Sequence, residues 1–397
     1  MIIYSNRVYT FEGEKAAYVK VEDGKIKGIY PKSAGLKADV DYGDLRIIPG
    51  IIDTHNHGAC GYRFDEVNEE ELKLALKGEA AYGVTGVLPT TTIVSQYPLL
   101  AKVADEDNDG ARIVGIHSEG PWGSRVGEKG INLGYPPVDM EHAKKMIEEA
   151  KGKLKLVDIA PEVDGALEAI RFFVEQGITV SAYHTNANYE EANKGIDAGI
   201  TVATHLGNVM TGLHHRDVGT FGASVLRDEV FCELICDGLH VSLPMVQLVM
   251  KMKDHEKIMM ISDNGAFLGA PVGLYRGTKN NEENDRATIE VTPEGFVLSK
   301  TGRLSGSSKA VLYGIGNLVE KLGMDLSEVV RMSSLNPARK YGLATKGEIN
   351  VGKDFDAVVI DDKYEVVATY VEGRKVFDRE LESCPFNDAF IKEKKIS

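Results

Sequence analysis

The chain has 397 residues, 43% of them hydrophobic, with 46 Lys+Arg against 60 Asp+Glu for a formal net charge of −14. That apolar content can offset the entropy of ordering, which excludes a disordered protein and leaves room for two to three ordinary domains or one large barrel. The acidic balance and the lack of a basic stripe exclude nucleic acid and anionic membrane as partners, while a small anionic substrate needs only one local positive patch.

The first predicted element is a hairpin: Tyr18 to Ile29 reads YVKVEDGKIKGI, alternating around Asp23-Gly24. Eight apolar β-branched runs follow, separated by helical segments: Ile47–Asp53, Val84–Pro89, Arg112–Ile116, Leu154–Ile159, Thr179–Tyr183, Thr201–Thr204, Phe231–Ile235 and Ile258–Ile261. Nearly continuous apolar strands alternating with helices predict a parallel sheet buried on both faces, an α/β (β/α)8 barrel spanning 49–345. Gly83, Gly177 and Gly199 each close a helical pattern and precede a strand, as a helix C-cap would. Strands return in DAVVIDDKYEVVATYVEGRKVF. Neither terminal piece can bury a sheet alone, so 1–48 and 346–380 are expected to form one small β-sandwich. Residues 381–397 are expected to be a C-terminal tail, lysine-rich and solvated from Asn387 to Ser397. Cys60, Cys232, Cys236 and Cys384 lack CxxC spacing and read as free thiols, Cys60 in a loop and Cys232 and Cys236 in the core. With no apolar run of about 18 residues and no secretion signal at the start, the expected location is cytoplasmic.

Polar residues gather at the predicted strand ends. PGIIDTHNHG places His55 and His57 two apart, hence on one face of a strand. Glu119 lies just beyond strand three in HSEGPW, His184 ends strand five, His205 ends strand six, His240 follows strand seven in DGLH, and Asp263 ends strand eight. In barrel enzymes the C-terminal strand ends build the active site. Each of these residues alone has an ordinary structural reading; four histidines and two carboxylates at matching positions point to a metal site. His117 is expected in the core or behind the ligands, and His142 and His255 on the surface. Imidazoles with carboxylates suit Zn²⁺, with Fe²⁺, Mn²⁺ or Co²⁺ as substitutes. A bound water activated by such an ion, beside an unligated Asp as proton shuttle, gives metal-assisted hydrolysis of an acyl or related bond.

The terminal β-rich ends, the HxH of strand one and the His, His and Asp of strands five, six and eight resemble the amidohydrolase superfamily. HSEGPW, THLGNVMTGLHHRDVG, DGLHVS, RLSGSS and SSLNPARKYGL look more narrowly like the N-acetylglucosamine-6-phosphate deacetylase family, and together they span essentially the whole chain. The resemblance implies that Glu119, His184 and His205 hold a principal metal. It implies that His55 and His57 match the second-metal ligands of those members that have one, so the chain is read as mononuclear or binuclear. Asp263 matches the catalytic acid/base; Asn208 and the Val209 backbone match substrate contacts; Arg216 and His240 match groups near sugar and phosphate. A homodimer is implied, with Arg216 serving a neighbouring subunit's site. The implied reaction removes acetate from N-acetylglucosamine 6-phosphate in amino-sugar catabolism, the alternative being N-acetylgalactosamine 6-phosphate or another N-acyl or cyclic amide. Three stretches depart from the usual family pattern: Lys129-Gly130-Ile131-Asn132, where Lys-Gly-Ala-His is common; the loop SDNGAFLGAPVGLYRG after strand eight; and the phosphate segment, with Gly207 and Val209 where bulkier and smaller residues respectively are common.

Overall fold

Pro49 and Gly50 divide the first apolar run into two strands of different sheets. In the computed structural model, which describes residues 1–125, 136–277, 288–383 and 386–396, Arg46–Pro49 belongs to a sheet built from the chain ends and Ile51–Asn56 to a parallel one. A Cβ on Gly50 would collide with the Thr85 side chain, so only glycine lets the chain cross here.

Both ends meet in one eight-stranded sheet. Ala357–Ile360 runs antiparallel to Arg46–Pro49, which lies parallel to Ile2–Thr10; the Gly13–Glu22 and Lys25–Pro31 hairpin extends one side, Val366–Val371 and Arg374–Asp378 the other. Alternation along these strands separates two faces. Val8, Val19, Ile47, Val359 and Tyr370 pack with Phe355 in a core of their own, whereas Tyr9, Ile48, Val358 and Ile360 join the main core.

The remaining parallel strands form a three-stranded sheet (Arg112–Ile113, Val84–Pro89, Ile51–Asn56) and a six-stranded one (Ile116–Trp122, Leu154–Ile159, Thr179–Ala182, Ile200–Ala203, Phe231–Ile235, Ile258–Ile261). Single bridges join them, Asn56 to Asn264 and Thr90 to His117. Helices such as Glu69–Ala81 and Tyr189–Ala198 alternate with the strands, each opened by a capping box, Asn68 with Glu71 and Asn188 with Glu191.

Three expectations are corrected. The third run breaks after Ile113 and resumes as Ile116–Trp122, so Glu119 lies inside a strand rather than beyond it. The chain after Ile261, read as a loop over 262–277, carries a four-stranded antiparallel sheet, Gly273–Arg276, Thr288–Val291, Phe296–Ser299 and Leu304–Ser307. Finally, the tail is not simply solvated. Asn387 caps the helix Asp388–Lys394, and the Phe390 ring packs among Phe267, Tyr275 and Phe386. Cys60, Cys232 and Cys236 are buried, Cys232 and Cys236 as free thiols; Cys384 and the stretch Lys129–Asn132 lie outside the described residues. Among the described residues no helix is long and apolar enough to cross a membrane.

Candidate metal centre and active site

The Ile51–Asn56 strand turns His55 and His57 to one side, while Asn56 between them faces away and donates to Glu79 Oε1 at 2.8 Å. The backbone N–H of Asp263 donates to the His55 carbonyl at 3.0 Å, and that of His57 to the Asn264 carbonyl at 2.8 Å. These two bonds bring the first and last parallel strands together and place Asp263 against the histidine pair. His184, His205 and Asp263 each follow the last residue or two of a strand and adopt left-handed backbone, with φ of 37°, 33° and 50°. Non-glycine residues in this region carry a conformational cost, and such residues concentrate at functional sites.

Glu119 is the hub. Its Oε1 lies 3.3 Å from His205 Nε2, 3.5 Å from His184 Nε2 and 3.6 Å from His55 Nε2, and its Oε2 lies 3.4 Å from His57 Nε2. Two groups thereby share one carboxylate, His55/His57/Glu119 and Glu119/His184/His205, each with its donor atoms within 4.8 Å of one another. Four imidazole nitrogens turned toward one carboxylate form a donor set that fits one or two divalent ions. Asp263 Oδ1 lies 3.4 Å from His57 Nε2 and 3.7 Å from His55 Nε2.

The electrostatics agree with that fit. Burial alone would raise Glu119 and Asp263, but the facing imidazoles outweigh it and hold both well below the usual carboxylate range. Burial alone would likewise lower His57 and His205; the hydrogen bond of His57 to Asp263, that of His205 to Glu119, and the carboxylate charges instead raise each to about 9. His184 Nδ1 donates to the Arg125 carbonyl at 3.2 Å, an arrangement that leaves Nε2 as the lone-pair nitrogen facing Glu119.

The remaining predicted residues fall into two groups. Asn208 is buried and donates through Nδ2 to the His205 carbonyl at 3.1 Å, and Val209, at φ 48°, accepts from the Thr185 N–H. His240 is held beside the centre by Asp237 Oδ2 at 2.8 Å from its Nδ1, and its charge is felt at Asp263. Arg216 is different. It is exposed on its loop, and its guanidinium forms no hydrogen bond or ion pair among the described residues.

Sequence reasoning missed the carboxylates behind the histidines. Asp158 and Glu233 are fully buried in the strands LKLVDI and FCELI, alongside the core histidine His117. The available signal was an acidic residue inside an otherwise apolar strand. Asp237, too, was passed over in favour of the histidine it holds.

A sequence model described as Amidohydrolase family matches residues 46–376. An N-acetylglucosamine-6-phosphate deacetylase of Vibrio furnissii is 31% identical over 367 residues, covering 90% of each chain. An N-acetylgalactosamine-6-phosphate deacetylase of Escherichia coli O157:H7 is also 31% identical, over 94% of this chain and 98% of its own. Among solved structures, N-acetyl-D-glucosamine-6-phosphate deacetylase of Mycobacterium smegmatis superposes with a TM-score of 0.86 at 28% identity, covering 95% of this chain and 100% of that one. A mutant of the Mycobacterium smegmatis protein in complex with N-acetyl-D-glucosamine-6-phosphate gives 0.85 at 27% identity, over 95% and 99%.

Proposed function

The chain belongs to the amidohydrolase family, and on that premise we propose that it hydrolyses the acetamide of N-acetylglucosamine 6-phosphate to glucosamine 6-phosphate and acetate. The observation that carries this reading is the single carboxylate of Glu119 ringed by His55, His57, His184 and His205 with Asp263 alongside, in a chain alike over nine-tenths of its length to a deacetylase of that name.

Glu119, His184 and His205 would hold the principal ion, and His55, His57 and Glu119 a second. Zinc suits these donors best, with Fe²⁺, Mn²⁺ or Co²⁺ as substitutes. When bound, such an ion supplies Lewis acidity and brings the pKa of a water ligand to about 7. Asp263, ionised at neutral pH, accepts a proton from the attacking water as its oxygen adds to the acetyl carbon. It returns that proton to nitrogen as the carbon–nitrogen bond breaks, releasing acetate and leaving the amine on the sugar. Asn208, the Val209 backbone and His240 contact the sugar phosphate. Arg216 reaches a neighbouring subunit's phosphate across a homodimer, where its planar fork pairs with phosphate oxygens.

In this reading the two parallel sheets, bridged at Asn56–Asn264 and Thr90–His117, form one (β/α)8 barrel over 49–345. The terminal sheet, with its separate core around Phe355, is a small sandwich of 1–48 and 346–380. The enzyme is cytoplasmic, as its phosphorylated substrate suggests. The galacto epimer is the second reading, favoured by the equally similar Escherichia coli O157:H7 relative. Acetate release by zinc-supplemented enzyme decides between them. The gluco 6-phosphate is expected to turn over fast, with the unphosphorylated sugar and the galacto 6-phosphate slow. Turnover of the galacto epimer alone reverses the assignment, and turnover of none with metal bound removes the substrate.

A further inference from the structure

Glu233 sits with no solvent exposure in the middle of the Phe231–Ile235 strand, between Cys232 and Leu234. An ionised carboxylate in such a place is costly unless it is paired. Its Oε1 accepts from the Thr54 hydroxyl at 2.6 Å, which ties it to the residue preceding His55. Its Oε2 lies 3.5 Å from His55 Nδ1, and both atoms are fully buried with no better partner among the described residues. The other nitrogen of the same ring, Nε2, faces the metal-binding cluster, 3.3 Å from His57 Nε2 and 3.6 Å from Glu119 Oε1. An imidazole that offers its lone pair at Nε2 carries its proton at Nδ1, where Glu233 is the facing acceptor. The plane of the ring is held as well. His117 stands edge-on to His55 at 4.7 Å and 89°, with its own Nδ1 3.0 Å from the Thr54 carbonyl and its Nε2 3.1 Å from Asp158 Oδ2.

We propose that Glu233 is a positioning residue for His55, keeping its proton on Nδ1 and strengthening Nε2 as a donor, so that the His55/His57/Glu119 group takes a second divalent ion. This rests on the proposed metal centre but not on the proposed substrate. The rival occupant of the same space is an ion bound by His55, His117 and Asp158, whose donor atoms also lie within 4.8 Å of one another. An ion held there through His55 Nδ1 would leave the ring no proton while its Nε2 faces the front cluster, so the arrangement that keeps one proton on Nδ1, facing Glu233, is the one we propose.

The test titrates Zn²⁺ and Co²⁺ into metal-free full-length protein against a competing chelator. Wild type is expected to bind two ions. Glu233→Gln should weaken the second by about 10- to 100-fold and alter the visible Co²⁺ spectrum of that site while the first ion keeps its affinity. Thr54→Val, which leaves the carboxylate but frees it to turn, should weaken the same ion by a smaller factor and serves where Glu233→Gln does not fold. Unchanged second-ion affinity in a folded variant overturns the role of Glu233 and leaves the deacetylase reading standing, since no turnover is measured. Wild type that binds nothing at His55 and His57 overturns it together with the binuclear centre. An anomalous-scattering peak between His117 Nε2 and Asp158 Oδ2 overturns it in favour of a third metal site.

Discussion

At the scale of single residues, the centre is made by side chains that the backbone aims from strained positions. His184, His205 and Asp263 all take left-handed φ at strand ends, where a regular strand would send their side chains to one sheet face or the other. Asp263 donates no packing that asparagine would not match. Asp263→Asn is therefore expected to keep its metal, measured by elemental analysis, and to lose about 10²- to 10⁴-fold in acetate-release rate; full activity would remove Asp263 from proton transfer. The histidines make a second expectation. In metal-free protein His57 and His205 titrate near 9, so both imidazoles are protonated at pH 7 and an incoming ion must displace their protons. Affinity for Zn²⁺ should accordingly rise from pH 7 toward pH 9, with proton release seen by calorimetry in buffers of different ionisation heat. Flat affinity over that range would contradict the raised values. Residue types at the centre were legible beforehand, because HxH and the strand-end His and Asp sit in recognisable local patterns. Glu233 and Asp158 were not, because an acidic residue in an apolar run does not say which way it points.

At the scale of elements, the segments around Asp263 are held by a piece of chain more than a hundred residues later. The helix Asp388–Lys394 lays Phe390 against Phe267 and Tyr275, and the N–H of Asn387 donates to the Cys60 carbonyl at 2.9 Å. It therefore touches both the loop after His57 and the one after Asp263. Phe390→Ala removes a half-buried ring, for which we expect a loss of about 1–2 kcal/mol in stability and a raised KM from loosened loops. An unchanged melting temperature together with an unchanged KM would show that the helix does not brace the site. Lysines at 392, 394 and 395 concealed this element in the sequence, although Phe386 and Phe390 are spaced to share one helical face. The antiparallel insert from Gly273 to Ser307 was concealed differently: its strands are four residues each, too short for alternation to stand out.

At the scale of the whole molecule, the chain closes on itself through the Arg46–Pro49 strand. Its neighbours are Ile2–Thr10 on one side and Ala357–Ile360, some 310 residues downstream, on the other. Lys346 fastens that return, its ammonium 2.8 Å from Asp356 Oδ2 and 3.2 Å from Glu372 Oε1. The terminal sheet shares its Ile48 and Val358 face with the main core, which leads the chain directly from Pro49 into the strand that carries His55 and His57. That the two ends belong together could be read from the sequence, since each was too small to bury a sheet. How their strands interleave could not, since register depends on partners hundreds of residues apart.

Composition, periodicity and local motif by themselves determined that this is an α/β chain of parallel strands and helices with candidate metal ligands near strand ends. Those properties depend on neighbours a few positions away: alternation for strands, caps for helices, side-chain chemistry for ligands. The tertiary structure alone decided that Glu119 lies within its strand and presents both oxygens to four imidazoles. It alone placed Glu233 behind His55 and brought the C-terminal helix onto the loops of the site. The physical reason is that orientation inside a closed core is set by strand register and by packing between distant segments, quantities that no short window of sequence contains.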